Sequence, residues 1–563
     1  MQGMMSIVQR MLGWTTSELE THHRLTRIAL VLAGLAMVLR LVFWVYAQRY
    51  WDDALIACLH AENAALGLGL THGHGGPPVH GFTSPLGVLI PLLGDCLHVG
   101  WGIELLKLVS LPAAALSVLM VLGIGTHPRV QLPSPLMVVA MGYVAVEHHQ
   151  ILWGMAGLET QLAVLGLLGT LYFMLTLRVV PLGLALGYCM LVRPDFVFLT
   201  LIAGAWVLFQ SPRDFLRVVG VALALYLPWV TFTTLYYGSP IPHTVIAKGI
   251  GFGWPWRSED PVTFFTLKRH IWVTLSEHLH IHLGPAFGGH GAGIHKFFTR
   301  GPESPIANGM FFLAAFGALV ALLRRQWALW PLVAFAVVYG LYFVFCVPVL
   351  YGWYKVPYTI ALLLLALWGV HQLTLRVPSA NWRRGAQGVF GGVYLGLFLL
   401  VLPQCFYAER MIQRHVDNEV RRAAGLYLQE HMMPDDVVAT EALGYIAYYS
   451  RGTVYDWPGL ASPEVVAWSK RQAPEDRSLE NMCRDLKPAY LFLRDLEVLY
   501  NFKETDWLKD QYDVVAHFQI DPEVRDDIPW VGRNIDQVFR IYHRRPEGAA
   551  IPHDESLFPR RAP

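Results

Sequence analysis

The sequence predicts a mostly α-helical, polytopic membrane protein of about eleven transmembrane helices, followed by a small soluble α/β domain. Three observations predict it. Of 563 residues, 54% are hydrophobic and only 15% are charged, a balance outside the usual soluble range. Apolar runs of the length a bilayer demands, about twenty residues, recur between residues 28 and 405. Beyond about residue 408 these runs stop, and short segments with helix and strand patterning replace them.

Taken in order, the expected spans are 28–47, 104–124, 135–152, 158–176, 179–193, 195–210, 216–237, 306–323, 327–346, 355–374 and 386–405. The first is too long for a signal-peptide core and lacks a small-residue cleavage site, so it reads as a retained signal anchor. Segment 86–97, LGVLIPLLGDCL, is too short to cross and reads as a re-entrant or interfacial helix.

Lys and Arg in short loops collect on the cytoplasmic face. With the N-terminus inside, the inner segments carry Arg10, Arg24, Arg27, Arg129, Arg178, Arg213, Arg217, Arg324, Arg325, Arg376, Arg383 and Arg384. The short outer loops around 153–158 and 347–354 carry no Lys or Arg, although Arg193 sits at another outer turn. Trp44, Trp153 and Trp353 fall near outer ends, as interfacial aromatics do.

The expected organisation is a membrane domain, 1–407, with external loops 48–103 and 238–305, and an extracytoplasmic α/β domain, 408–563. In the latter, DNEVRRAAGLYLQEHM has helical spacing, while DVVATE, AYLFLR, YDVVAHF and QVFRIYH read as strands. No internal repeat is apparent.

A net charge of +1, with no basic run interleaved with aromatics, excludes a nucleic-acid partner. Cys58 and Cys96 share one external loop, which leaves a disulfide between them open. Cys189, Cys346 and Cys405 lie in apolar spans and read as small core residues.

The chemistry-bearing candidates gather at predicted outer helix ends. In RYWDDALIACLHAEN, Asp52 and Asp53 stand side by side just past the first span. Neighbouring carboxylates repel, so one keeps a raised pKa, which suits a base that takes a proton from an alcohol. A polar, solvated helix stop is the plainer reading. Glu159 in GMAGLETQ opens a span, where an acid is also routine against the helix dipole. Arg193 and Asp195 in LVRPDF form a turn between two spans, with an ion pair as the structural alternative. Lys248, ending YYGSPIPHTVIAK, supplies a cation of the kind a phosphate leaving group needs. Tyr351, Tyr354 and Lys355 in YGWYKVP offer further phosphate or sugar contacts. Arg40, deep in the first span, requires an internal partner or serves the same phosphate. His72 and His74, like His278, His280 and His282, lack the spacing of a metal motif, so structural histidine is the favoured reading.

The ordered set DDALIACLHAENAALGLGLTH…VHGFTSPLGVLI, GLET, RPD and YYGSPIPHTVIAK resembles bacterial integral-membrane glycosyltransferases of the GT-C architecture. The group most resembled includes the mycobacterial terminal arabinofuranosyltransferase, and ATEALGYIAYYSRGTVYDWPGL resembles that group's extracytoplasmic domain. The resemblance implies a GT-C fold and an inverting transferase of the cytoplasmic membrane. Its substrates would be a polyprenyl-phosphate sugar and a cell-envelope glycan or glycolipid acceptor on the outer face. It implies an acid of the first external loop as base, here Asp52 or Asp53 with Asp52 first, Lys248 at the donor phosphate, and His243 where donor or acceptor is contacted. Leu59, His60, His80 and His243 depart from the residues relatives often carry, so the sugar stays open, arabinofuranose included. No cofactor is implied with certainty, and a divalent metal stays open. The rival class is a transporter or flippase of a lipid-linked sugar, with Asp52, Asp53, Glu159 and Arg193 as a charge relay. Such a protein carries its ionisable groups near mid-membrane in broken helices, not at outer ends.

Overall fold

The computed structural model describes residues 2–73, 76–251, 281–285, 305–346, 351–502, 505–525, 528, 538–546 and 558–559. Among these residues seven helices are long and apolar enough to cross a membrane: His23–Ala47, Gly102–Thr126, Pro212–Tyr237, Pro305–Leu323, Trp327–Phe345, Gly352–Thr374 and Ala380–His431. Three further expected spans are shorter apolar helices, Thr160–Thr176, Val179–Val192 and Pro194–Gln210. The chain is a multi-pass membrane protein. Val31, Phe209, Leu216 and Leu235 are each more than half exposed on these helices, an apolar surface that only lipid covers well.

The expected span 135–152 is corrected. It is two helices, Ser134–Val146 and His148–Met155, separated at Glu147. The Glu147 carboxylate accepts the backbone N–H groups of His149 at 2.9 Å and Gln150 at 2.8 Å. A capping acid inside an apolar run starts a new helix where hydropathy alone reads continuity. Segment 86–97 is the helix Leu86–Leu97. The N-terminal helix Gln2–Leu12 was not expected; Met5, Val8 and Leu12 face inward at helical spacing, while Met4 and Ile7 face out.

The helix termini sort into two ends. Asp52, Glu159, Arg193 and Tyr354 lie at one, and the helix ends beside Arg129, Arg178 and Arg383 lie at the other.

The C-terminal part carries five described strands: β1 (Val437–Thr440), β2 (Thr453–Asp456), β3 (Tyr490–Arg494), β4 (Tyr512–Gln519) and β5 (Val538–Arg544). Their order is β2-β1-β3-β5-β4. β1 runs parallel to β2 and β3, while β5 is antiparallel to β3 and β4. β2, TVYD, escapes a hydropathy reading because it has four residues and only half of them are buried. This part begins inside an unbroken helical column: Ala380–Ile412 continues through a π-helical stretch, Gln413–Arg422, into Ala423–His431.

Three polar clasps hold the sheet-bearing part to the membrane helices. Arg49 donates to Glu409 at 2.9 Å and pairs with Asp417. Glu62 accepts from the Tyr448 hydroxyl at 2.7 Å and pairs with Arg451 at 2.6 Å. Asp52 accepts from the backbone of Gly444 and Tyr445. Cys58 is buried and Cys96 exposed, and both are free thiols, so the disulfide left open by the sequence is not formed.

Candidate functional site

The helix Asp52–Ala65 sets the site. Its two acids sit in the first turn, where the helix dipole favours negative charge. Successive side chains on a helix differ by about 100°, so adjacent acids face different neighbours. Both oxygens of Asp52 are engaged, accepting the N–H groups of Gly444 and Tyr445 at 3.0 Å each, at the start of the helix Leu443–Ser450. Asp53 instead lines two adjoining cavities.

The smaller cavity, about 80 Å³, joins Asp53, Glu159, Thr244, Lys248 and Tyr354. The larger, about 570 Å³, includes Asp52, Asp53, Trp153, Tyr351 and His149. Asp53, Ile56, Trp353 and Leu460 line both, so the cavities are neighbours that share Asp53. Burial pushes the Asp53 carboxyl up to about 6; Lys248 opposes that rise, and the charges of Asp52 and Glu159 add to it.

Lys248 comes from the helix His243–Gly251, whose first residue donates its N–H to the His80 carbonyl at 2.9 Å. The i, i+4 spacing puts Thr244 and Lys248 on one face. The Lys248 ammonium stands 5.2 Å from the centre of the Tyr351 ring. Glu159 enters from the turn before Thr160–Thr176. Gly157 in that turn has φ +90, and a Cβ there would lie 3.0 Å from Ala54 Cβ, so glycine both makes the turn and lets Glu159 approach the Asp53 helix.

Of the ten site residues expected from the sequence, the structure brings Asp53, Glu159, Lys248 and Tyr354 around the smaller cavity. Asp52 borders the larger one with its oxygens occupied by the C-terminal part.

The other five are placed elsewhere. Arg193 grips Asp195 through two bonds, Nε–Oδ1 at 3.0 Å and Nη2–Oδ2 at 3.2 Å, and Asp195 also accepts from the Tyr339 hydroxyl. The pair lines neither cavity; the Arg193 guanidinium sits 4.2 Å from the Tyr354 ring centre and 4.0 Å from Glu159, holding both from behind. Arg40 is fully buried and spends its donors internally, on Gln161 at 2.8 and 3.1 Å and on the carbonyls of Ala36, Val144 and Ala145. It lines neither cavity and takes the internal partners that the sequence left open. Lys355, next to Tyr354, is turned by the helix toward His282 and lines neither cavity. His243 lies against the loop after β2, beside Asp456, with Nε2 buried and unpartnered.

Several neighbours were missed. Trp51, Trp153 and Trp353 form an edge-to-face cluster, with ring centres 4.5, 5.4 and 6.0 Å apart, and Tyr351 stacks on Trp353 at 4.7 Å. The sequence shows Trp153 and Trp353 as interfacial aromatics, but nothing in it says that they converge with Trp51. Leu460 reaches the cavities because Asp456 folds its loop, accepting the N–H groups of Gly459 and Ala461 and the Ser462 hydroxyl. Among the described residues no three His, Cys, Asp or Glu side chains are grouped to hold a metal ion. His74, His278 and His280 lie outside the described residues; His72 stands 5.1 Å from the His60 ring, and His282 stacks on His149 at 3.7 Å.

A family model described as a domain of unknown function (DUF8728) matches residues 410–542. No curated protein matches the chain. Among solved structures, ArnT from Cupriavidus metallidurans in the apo state is similar over 92% of this chain and 98% of its own, at 13% identity and a TM-score of 0.52. The same protein bound to undecaprenyl phosphate aligns over 93% and 99% of the two chains at 14% identity and a TM-score of 0.49. The archaeal oligosaccharyltransferase AglB from Archaeoglobus fulgidus, in complex with an inhibitory peptide and a dolichol-phosphate, aligns over 91% of this chain and 75% of its own, at 11% identity and a TM-score of 0.48. The likeness to apo ArnT shows the fold: a mostly helical, polytopic GT-C architecture with a small sheet-bearing C-terminal part.

Proposed function

We propose that this protein is an inverting glycosyltransferase that moves a sugar from a polyprenyl-phosphate donor to an envelope glycan or glycolipid acceptor, at the outer face of the cytoplasmic membrane. The observation that carries this reading is the convergence of Asp53 and Lys248 on one small cavity, with Asp53 also lining a larger neighbouring one.

The chemistry follows from those groups. The Asp53 carboxylate accepts the proton of an acceptor hydroxyl as its oxygen bonds to the anomeric carbon. The bond from that carbon to the phosphate oxygen breaks, and the electron pair leaves on the polyprenyl phosphate. The Lys248 ammonium offsets the charge that grows on the phosphate, and it does so in a partly dry site where such an interaction is strong. A carboxyl held at about 6 is ionised near neutrality yet basic enough to hold the proton it takes. Glu159, fixed beside Arg193, and the Trp353–Tyr354 pair are the proposed sugar contacts. The sugar itself stays open, with arabinofuranose one candidate. The residues beyond 408 brace the site: their clasps on Arg49, Asp52 and Glu62 set the angle of the helix that presents Asp53.

The test is incubation of the purified full chain with a panel of radiolabelled polyprenyl-phosphate sugars and envelope acceptors. Transfer of one sugar by the wild type, reduced by about 100-fold or more in Asp53→Asn, is the expected result. Undiminished transfer by Asp53→Asn overturns the base assignment, and movement of an intact lipid-linked sugar across vesicles without bond cleavage would favour the flippase reading.

A further inference from the structure

At the end of the bundle opposite Asp53 lies a cavity of about 950 Å³. The helix His23–Ala47 has 25 residues, about 37 Å of length, and runs from beside this cavity toward the Asp53 end. Arg129, Arg178, Arg383 and Arg384 line the cavity against a single carboxylate, Glu18. That carboxylate is already spent in a capping box, accepting from the Thr15 N–H at 2.7 Å and the Thr15 hydroxyl at 2.9 Å. Arg178 is also engaged, donating to the Leu12 carbonyl at 2.9 Å and closing the N-terminal helix against the wall. Among the described residues no hydrogen bond or ion pair engages the guanidinium groups of Arg129, Arg383 and Arg384. Three unpaired cations around one concavity call for an anion.

Two further features narrow the anion. Gln387 lines the cavity at 1% exposure; its amide nitrogen donates to Thr374 at 2.8 Å, while its side-chain oxygen is buried without a partner. An orphaned acceptor beside three cations suits a ligand that is both anionic and hydroxylated. Apolar groups lie near the lining residues in sequence: Trp382 is 77% exposed next to Arg383, and Met4 and Ile7 face outward on the helix whose last residue, Leu12, lines the cavity. An amphipathic helix and an exposed tryptophan at the end of a membrane bundle mark the headgroup level of a bilayer.

We propose that this cavity binds the headgroup of an anionic phospholipid. The guanidinium groups of Arg129, Arg383 and Arg384 take the phosphodiester, Gln387 accepts from a headgroup hydroxyl, and the exposed Trp382 beside Arg383 meets the acyl chains. The site is separate from the proposed transferase chemistry and stands without it.

The test titrates the full-length protein in neutral detergent with dioleoyl phosphatidylglycerol, dioleoyl phosphatidylcholine or inorganic phosphate, and reads bound ligand by native mass spectrometry. Phosphatidylglycerol is expected to bind with clear preference over both other ligands. Each guanidinium removed costs about fivefold, so Arg129→Gln/Arg383→Gln/Arg384→Gln together weaken the lipid by on the order of 100-fold. Arg217→Gln, at an exposed arginine outside the cavity, leaves the preference intact. A competition on the wild type does not depend on the variant folding: inorganic phosphate displacing the lipid at equal concentration overturns the lipid assignment. Unchanged lipid preference in the folded triple variant overturns the site.

Discussion

Asp52 and Gly444 are locked together. The Asp52 carboxylate accepts the Gly444 N–H at 3.0 Å, and a Cβ on Gly444 would lie 2.6 Å from the Asp52 carbonyl carbon. The first turn of the helix that presents Asp53 therefore rests directly on backbone of the C-terminal part, with no room for a side chain between them.

Gly444→Ala is expected to force the two parts from that contact. Overpacking of this kind costs about 1–3 kcal/mol. Thermal unfolding and limited proteolysis near residues 432–442 check it: an earlier transition and faster cleavage are expected, and wild-type behaviour in both would show that the contact yields without cost.

Asp52→Asn and Asp53→Asn are expected to separate. The Asp52 variant keeps measurable transfer but loosens the C-terminal part, because the amide NH2 cannot accept one of the two backbone N–H groups the carboxylate holds, a loss of about 1 kcal/mol. The Asp53 variant keeps wild-type stability and loses transfer. Equal loss of transfer in both, at equal stability, would return the base role to the pair.

The pH profile of kcat/KM carries its own sign. The carboxylate of Asp53 is the working form, so transfer falls as pH drops through about 6 and levels off above it. Lys248 holds that value down, so Lys248→Ala moves the acid limb to higher pH as well as weakening donor use. Glu159 holds it up, so Glu159→Gln moves the limb to lower pH. Shifts in the same direction for both variants would break the assignment.

Arg193→Ala is expected to act on stability first. It leaves Asp195 buried beside Tyr339 without its cation, a loss of about 3–5 kcal/mol for a broken buried pair. Arg40→Met removes donors from Gln161 and three carbonyls and belongs to the same class. Unfolding in detergent reads both, and an Arg40 variant of normal stability with a raised donor KM would restore its phosphate role.

What the sequence determined by itself is the membrane architecture and the neighbourhood of the site. Hydropathy follows from how much apolar surface a segment must bury, so ten of the eleven expected spans appear as single apolar helices, and only Glu147 splits the remaining one. Arginine spacing sorted the helix ends, and that sorting placed Asp53, Glu159, Lys248 and Tyr354 at one end. β1 and β3, runs of mostly buried apolar residues, were legible, while β2, TVYD, with half of its residues buried, was not. Only the tertiary structure decided what each polar side chain spends itself on. Asp52 and Asp53 are chemically identical in the sequence; about 100° of helix rotation gives one to the backbone of Gly444 and the other to a cavity with Lys248. Arg40, Arg193 and Lys248 are likewise all cations near a bilayer, yet Arg40 is consumed by Gln161 on a distant helix, Arg193 by Asp195 in its own turn, and Lys248 faces the cavity. Those partners come from more than a hundred residues away for Arg40, and no local pattern encodes them.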